Sequence, residues 1–229
     1  MSKWTLFKGP GSTAIDPVLY ESRDGWLKGR AKRIGGSDAA AVVGMSPYMT
    51  NEQLWELKTG RREQLDISDK DVVRYGVNAE EHLRELFKLD FPDYYVGYKP
   101  YNLFLNPEYP FAHASLDGWL SKDGRNGILE IKTGYINNAL KSTDWKGRIP
   151  DNYYCQILHY LMVTGFDFAI VKAQLKHQFG DEMPYLETRH YMIERADVED
   201  DIAYLAEKER EFWDCVTANK RPGVILPAI

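Results

Sequence analysis

Ser115-Leu116-Asp117-Gly118-Trp119-Leu120-Ser121-Lys122-Asp123-Gly124-Arg125-Asn126-Gly127-Ile128-Leu129-Glu130-Ile131-Lys132-Thr133-Gly134 is the stretch on which the reading turns. Its aromatic and β-branched residues, punctuated by Asp, Asn and Gly, predict two antiparallel strands, 112–120 and 128–132, joined through 121–127. The Asn126-Gly127 dipeptide predicts the turn, since both residues tolerate positive φ. Glu130 and Lys132 stand two apart on the second strand, so period-two alternation sends both to one face. The returning hairpin brings Asp117 beside them, and two carboxylates and one ammonium converge on one patch of sheet.

That grouping has a chemical use. Hard carboxylate oxygens favour Mg²⁺ or Mn²⁺, which keep open positions for water and phosphate. The bound ion polarises a phosphate and lowers the pKa of a coordinated water. An adjacent lysine orients the hydroxide and offsets charge developing on phosphorus. A Glu-x-Lys at a strand end is equally the pattern of a solvated face. The partnered Asp117, the apolar Ile128, Leu129 and Ile131, and the following Thr133-Gly134 set this one apart.

Upstream of the hairpin the chain reads as helical. Short helices are expected over 26–32 and 39–43, the second capped by Ser37 or Asp38 and stopped by Gly44. Thr50-Asn51-Glu52-Gln53 forms a capping box for a helix ending near Gly60. Ser68 is the expected cap of a longer helix over 72–89, with a stripe of Val72, Val73, Leu83, Leu86 and Phe87. Downstream, a helix over 150–164 stopped by Gly165, strands over 168–174 and 188–194, and a final helix over 197–217 capped by Asp197 complete the pattern. The order predicts an α/β fold with a central mixed sheet flanked by helices.

A chain of 229 residues suits a single domain, with 1–25 as a motif-free candidate arm. Cys155 and Cys215 read as buried free thiols, and two cysteines cannot build a Cys₄ zinc or iron–sulfur site. The start lacks a signal peptide's apolar stretch and no run of 18 apolar residues occurs, so a cytoplasmic protein with no membrane contact is expected. A net charge of −5 argues against nonspecific coating of nucleic acid, though not against a local basic channel. P-loop, HExxH, GxSxG and GxGxxG motifs do not occur.

Asp117…Glu130-x-Lys132 resembles the PD-(D/E)xK core of restriction-endonuclease-like nucleases. Trp26-x-x-x-Arg30-x-x-x-Ile34-Gly35-Gly36-Ser37-Asp38-Ala39-Ala40 and Gly44-x-Ser46-Pro47-Tyr48 resemble the opening motif of the YqaJ-type viral recombinases, the group that includes the lambda exonuclease family. Gly76-x-x-x-Glu80, Ser115-x-Asp117 and Tyr153-Tyr154-x-Gln156 follow in that family's order, so the resemblance spans about residues 26–164. It implies that Asp117, Glu130 and the Ile131 carbonyl bind the metal, with Glu80 facing the same cluster. Lys132 would position the attacking water, and Arg30, Ser37, Ser115 and Gln156 would cradle a 5′-phosphate. It further implies a 5′→3′ exonuclease on linear double-stranded DNA with 5′-phosphorylated ends. Such an enzyme would act as a homotrimer beside a single-strand annealing protein in phage-type recombination in a bacterial host.

The bland readings stay open. Arg30 also reads as a surface cation in a run with Lys28, Lys32 and Arg33, Ser37 as an N-cap alone, and Gln156 as a polar helix position. Glu81 competes with Glu80, and His113 reads as a polar neighbour of Asp117 rather than a metal ligand. An endonuclease on the same core and a non-catalytic DNA-end-binding recombination protein remain the alternative functions.

Overall fold

A short strand, β1 (Pro17–Leu19), leads into helix α1 (Arg23–Ala31), which Ser22 caps by accepting from the Gly25 amide at 3.2 Å. The structure, a computed structural model, describes residues 15–180 and 183–225. Residues 1–14 of the expected arm therefore lie outside the described residues. Strand β2 (Ile34–Gly35) runs into α2 (Gly36–Val42). The caps expected there are corrected. The helix begins at Gly36, so Gly35 takes the cap position, and Asp38 reaches back from the first turn to accept the Gly35 amide at 2.9 Å. Gly44, at φ 76°, ends this segment as expected.

The capping box of α3 (Asn51–Lys58) forms as read: the Gln53 amide donates to the Thr50 hydroxyl and the Thr50 amide to Gln53 Oε1. The long helix is α4 (Asp71–Asp90), with Lys70 rather than Ser68 at its cap position. The Ser68 amide is instead tied to Asp66 Oδ1 at 2.9 Å in a local turn, two residues too early to close a helix. Its buried face is Leu83, Arg84 and Phe87, while Val72 and Leu86 are exposed, so the apolar stripe is narrower than expected.

Strands β3 (Tyr95–Gly97), β4 (Asn102–Phe104) and β5 (Ala112–His113) follow, β4 pairing antiparallel with β1 and β5 parallel with β2. The central hairpin is β6 (Gly118–Lys122) and β7 (Arg125–Ile136). Its turn falls at Asp123-Gly124, with φ of 51° and 75°, and not at Asn126-Gly127. Gly127 lies inside β7 opposite Leu120, where a Cβ would sit 2.2 Å from the Phe168 ring. Packing across the sheet, not turn chemistry, requires that glycine.

Helices α5 (Ala139–Asp144) and α6 (Asp151–Thr164) cross over to β8 (Phe168–His177), which pairs parallel with β7, and β9 (Tyr185–Glu194) closes one edge antiparallel. Gly165, at φ 68°, ends α6. The final helix is α7 (Glu199–Thr217); Asp197 lies in the 3₁₀ turn before it, and Val198 holds the cap position. The five-stranded order β3-β6-β7-β8-β9, with one parallel pair, is a mixed sheet flanked by helices.

Alternation along β7 and β8 divides the core. Ile128, Ile136, Ala169, Val171 and Leu175 pack with α2, α6 and α7 on one face. Leu129, Ile131, Phe168 and Ile170 pack under Leu83 and Phe87 of α4 on the other. No described helix is long and apolar enough to cross a membrane.

Candidate metal and phosphate site

The loop entering β6 is held by a buried amide. Asn102 Nδ2 donates to the Leu116 carbonyl at 3.0 Å and the Leu116 amide donates to Asn102 Oδ1 at 2.9 Å, so the side chain imitates a strand partner. The next residue, Asp117, accepts the Ile131 amide on Oδ2 at 2.9 Å, which fixes its carboxylate against β7. Glu130 and Lys132 share one face of that strand, as expected, and Lys132 Nζ donates to Glu130 Oε1 at 2.7 Å. Gln156 arrives from α6, accepting from Lys132 Nζ at 2.9 Å and donating to Glu130 Oε1 at 2.8 Å and to the Tyr160 hydroxyl at 2.9 Å.

Glu80 approaches on α4 from the other side of the sheet. Arg84, one turn later, donates through Nη1 to Glu80 Oε1 at 3.1 Å and to the Asp117 carbonyl at 2.6 Å. Glu80, Asp117, Glu130, Ile131 and Lys132 line one cleft of about 630 Å³. Glu81, the rival acid, is exposed and absent from that lining.

The electrostatics are those of crowded carboxylates. Burial, with the Asp117 charge in support, pushes the Glu130 carboxyl up to about 8. Burial and the same neighbour raise Glu80 to about 7, against the pull of Arg84 and Lys132. Burial raises Asp117 as well. Burial alone would depress Lys132, but the Glu130 and Asp117 carboxylates outweigh it and hold the ammonium charged. The second oxygen of Glu130 is buried without a hydrogen-bond partner. Buried orphan acceptors are uncommon, and this one suits a cation. Among the described residues no group of three His, Cys, Asp or Glu side chains is close enough to hold an ion by itself. Two carboxylates, backbone carbonyls and open cleft nevertheless form the all-oxygen donor set that a hard divalent ion takes, with water completing it.

The phosphate candidates divide. Arg30 lines the cleft with its guanidinium stacked on the Trp26 ring, 4.3 Å from the centroid. Ser115 and Gln156 line it too, but both are engaged: Ser115 donates to the Asn102 carbonyl at 2.9 Å and accepts from Trp26 Nε1 at 3.2 Å. Ser37 is exposed on α2 and is not among the lining residues. His113 is buried outside the cleft, its imidazole pushed down to about 2 by burial, and its carbonyl accepts from His159. Cys155 is buried and Cys215 half-buried, both as free thiols.

Sequence reading missed Arg84, Asn102 and Tyr160. Arg84 left a faint trace in its four-residue spacing from Glu80. Tyr160 left a similar trace in its four-residue spacing from Gln156, and Asn102 left none, because Leu116 lies fourteen residues away.

A mixed sheet carrying Asp117 before one strand and Glu130-x-Lys132 on the next has the arrangement of the PD-(D/E)xK fold. The YqaJ-like viral recombinase domain matches residues 25–167. The uncharacterized protein YqaJ of Bacillus subtilis (strain 168) is 32% identical over 208 residues, 89% of this chain and 59% of that protein, so the chain spans less than two thirds of its relative. An alkaline exonuclease from Laribacter hongkongensis superposes with a TM-score of 0.62 at 18% identity, over 86% of this chain and 93% of that one. A phage related exonuclease from Haemophilus somnus 129PT gives 0.55 at 11% identity, over 82% and 96%. The chain belongs to the YqaJ-like viral recombinase family.

Proposed function

We propose that this chain is a divalent-metal-dependent 5′→3′ exonuclease. It digests one strand of linear double-stranded DNA to 5′-mononucleotides and leaves a 3′ single strand for phage-type recombination. The observation that carries the reading is the meeting of Asp117, Glu130 and Lys132 on the cleft floor, with a buried Glu130 oxygen left unpartnered. Asp117, Glu130 and the Ile131 carbonyl are the proposed ligands of Mg²⁺, for which Mn²⁺ substitutes, with Glu80 reached directly or through water. The ion would supply Lewis-acid activation of phosphate and water. Lys132 orients the attacking water and stabilises charge developing on the phosphate, as a buried, charged ammonium is suited to do. Gln156 holds Lys132 and Glu130 in register.

Arg30 is the proposed fork for the 5′-phosphate, with Ser115 and Gln156 beside it and Ser37 a contact at the rim. Arginine binds phosphate bidentately, and stacking on Trp26 fixes the plane of the fork. A ring of three copies around DNA would give processivity without net positive charge, and a single-strand annealing protein would receive the 3′ strand in the bacterial cytoplasm. The exonucleases that share the fold support the reaction class.

The test uses linear duplexes carrying a 5′-phosphate or a 5′-hydroxyl, each strand labelled, with Mg²⁺. Stepwise loss from the phosphorylated 5′ end is expected, abolished by Lys132→Ala and made indifferent to the phosphate by Arg30→Ala. Cleavage of closed circles would reassign the protein as an endonuclease. DNA binding with no metal-dependent cleavage would leave a DNA-end-binding protein.

A further inference from the structure

Arg84 is a buried guanidinium to which the proposed reaction gives no role. Its side chain is only 7% exposed, on the buried face of α4. One nitrogen, Nη1, bridges a helix side chain and a loop backbone: Glu80 Oε1 on one hydrogen and the Asp117 carbonyl on the other. The guanidinium lies over the Tyr98 ring at 3.6 Å from the centroid, which fixes its plane. Asp117 is thereby held at both ends, its carboxylate by the β7 backbone and its carbonyl by α4.

We infer that Arg84 is a positioning residue that joins Glu80 and Asp117 into one preorganised ion-binding unit; this rests on the nuclease reading above. The geometry gives the reason. Among the described residues, Glu80 and Asp117 come from elements that otherwise meet through apolar packing under α4. Two carboxylates near each other repel, and nothing in a helix–sheet contact sets their separation to the tolerance an oxygen-ligated ion demands. A single planar donor group tied to both sets it. Occupying one Glu80 oxygen also leaves the other for the ion or its water.

A plain counter-charge would make a different prediction. If Arg84 served only to offset the carboxylates, any cation there would suffice. Lysine keeps the charge, but its ammonium ends one bond short of the Nη1 position and offers no plane to lie on Tyr98, so Arg84→Lys isolates geometry from charge. Removing an outer partner of a metal ligand commonly costs 10- to 100-fold in affinity.

The measurement is Mn²⁺ binding to the intact chain by electron paramagnetic resonance, which needs no DNA and no turnover. Arg84→Lys should bind Mn²⁺ at least about tenfold more weakly than the wild type. In a Glu80→Ala background the same change should have little further effect, because the unit is already broken. Tyr98→Leu, which leaves both hydrogen bonds in place and removes the stacked ring, should give a smaller loss in the same direction. Wild-type affinity in Arg84→Lys, or an equal loss with and without Glu80, would overturn the inference. If the wild type itself binds no Mn²⁺, it is the nuclease reading that fails. Circular dichroism of each variant separates unfolding from loss of the site, and Arg84→Gln serves where Arg84→Lys does not fold.

Discussion

In metal-free protein the Glu130 carboxyl should make stability fall as pH rises, and Glu130→Gln should remove that fall. Glu130 is 3% exposed, and burial with the neighbouring Asp117 charge raises it from 4.5 to about 8. A carboxyl that titrates higher in the folded chain than in the unfolded one binds its proton preferentially when folded. Its contribution is therefore full below about pH 4.5 and is lost as pH climbs to about 8, the reverse of a salt-bridged acid. Each pH unit well inside that window removes on the order of 1 kcal/mol, so the span from pH 6 to pH 8 removes about 2 kcal/mol. Urea unfolding in EDTA at the two pH values, on wild type and Glu130→Gln, isolates this group from Glu80, which burial raises into the same window in both proteins. At pH 8, Mg²⁺ at about a hundred times its dissociation constant should return about 2.7 kcal/mol to the wild type alone. Equal pH slopes in the two proteins would refute the claim that Glu130 is a buried acid awaiting a cation.

Asn102→Ala should destabilise the chain by about 2–4 kcal/mol in urea unfolding, since it strands the buried Leu116 amide and carbonyl at once; a loss below about 0.5 kcal/mol would show that the loop holds itself. Two glycines should respond in opposite ways: Gly124→Asn should be tolerated, because a Cβ there meets nothing within 4 Å and Asn accepts φ 75°, whereas Gly127→Asn should cost about 2 kcal/mol or more by meeting the Phe168 ring, with thermal melts of both variants deciding.

The same two glycines show where sequence reading stops. Asp123-Gly124 and Asn126-Gly127 are equally good turn dipeptides, three residues apart. Local chemistry cannot choose between them. The choice is made by Phe168, on a strand that arrives only after α6 and packs its ring where a side chain at 127 would stand. The Thr50–Gln53 box was legible because both partners lie inside one turn. The caps assigned to Ser68 and Asp197 show the converse, since each polar residue sits in a turn or 3₁₀ segment just ahead of the helix proper.

In the site, Asp117, Glu130 and Lys132 were legible because strand periodicity is rigid, and a spacing of two dictates a shared face. What spacing could not supply is how many hydrogen-bond donors each residue has left. Lys132 has three hydrogens and gives one to Glu130 and one to Gln156, so one stays in hand. Gln156 gives both amide hydrogens away, to Glu130 and Tyr160, and the single Ser115 hydrogen goes to the Asn102 carbonyl. Neither can hold a phosphate without first releasing an internal partner. The Arg30 guanidinium makes no hydrogen bond or ion pair among the described residues and is steadied by the Trp26 ring, which is itself tied by its indole to Asn102 and Ser115. Of the four residues that resemblance assigns to one phosphate pocket, Ser37 lies outside the cleft lining, and Arg30 is the one in the cleft whose donors are uncommitted and whose plane is set by a ring. In the proposed pocket, preference for a charged 5′ end should therefore rest on Arg30 first. On the same proposal Ser115 and Gln156 would act mainly by holding Trp26 and Lys132 where Arg30 and the carboxylates need them.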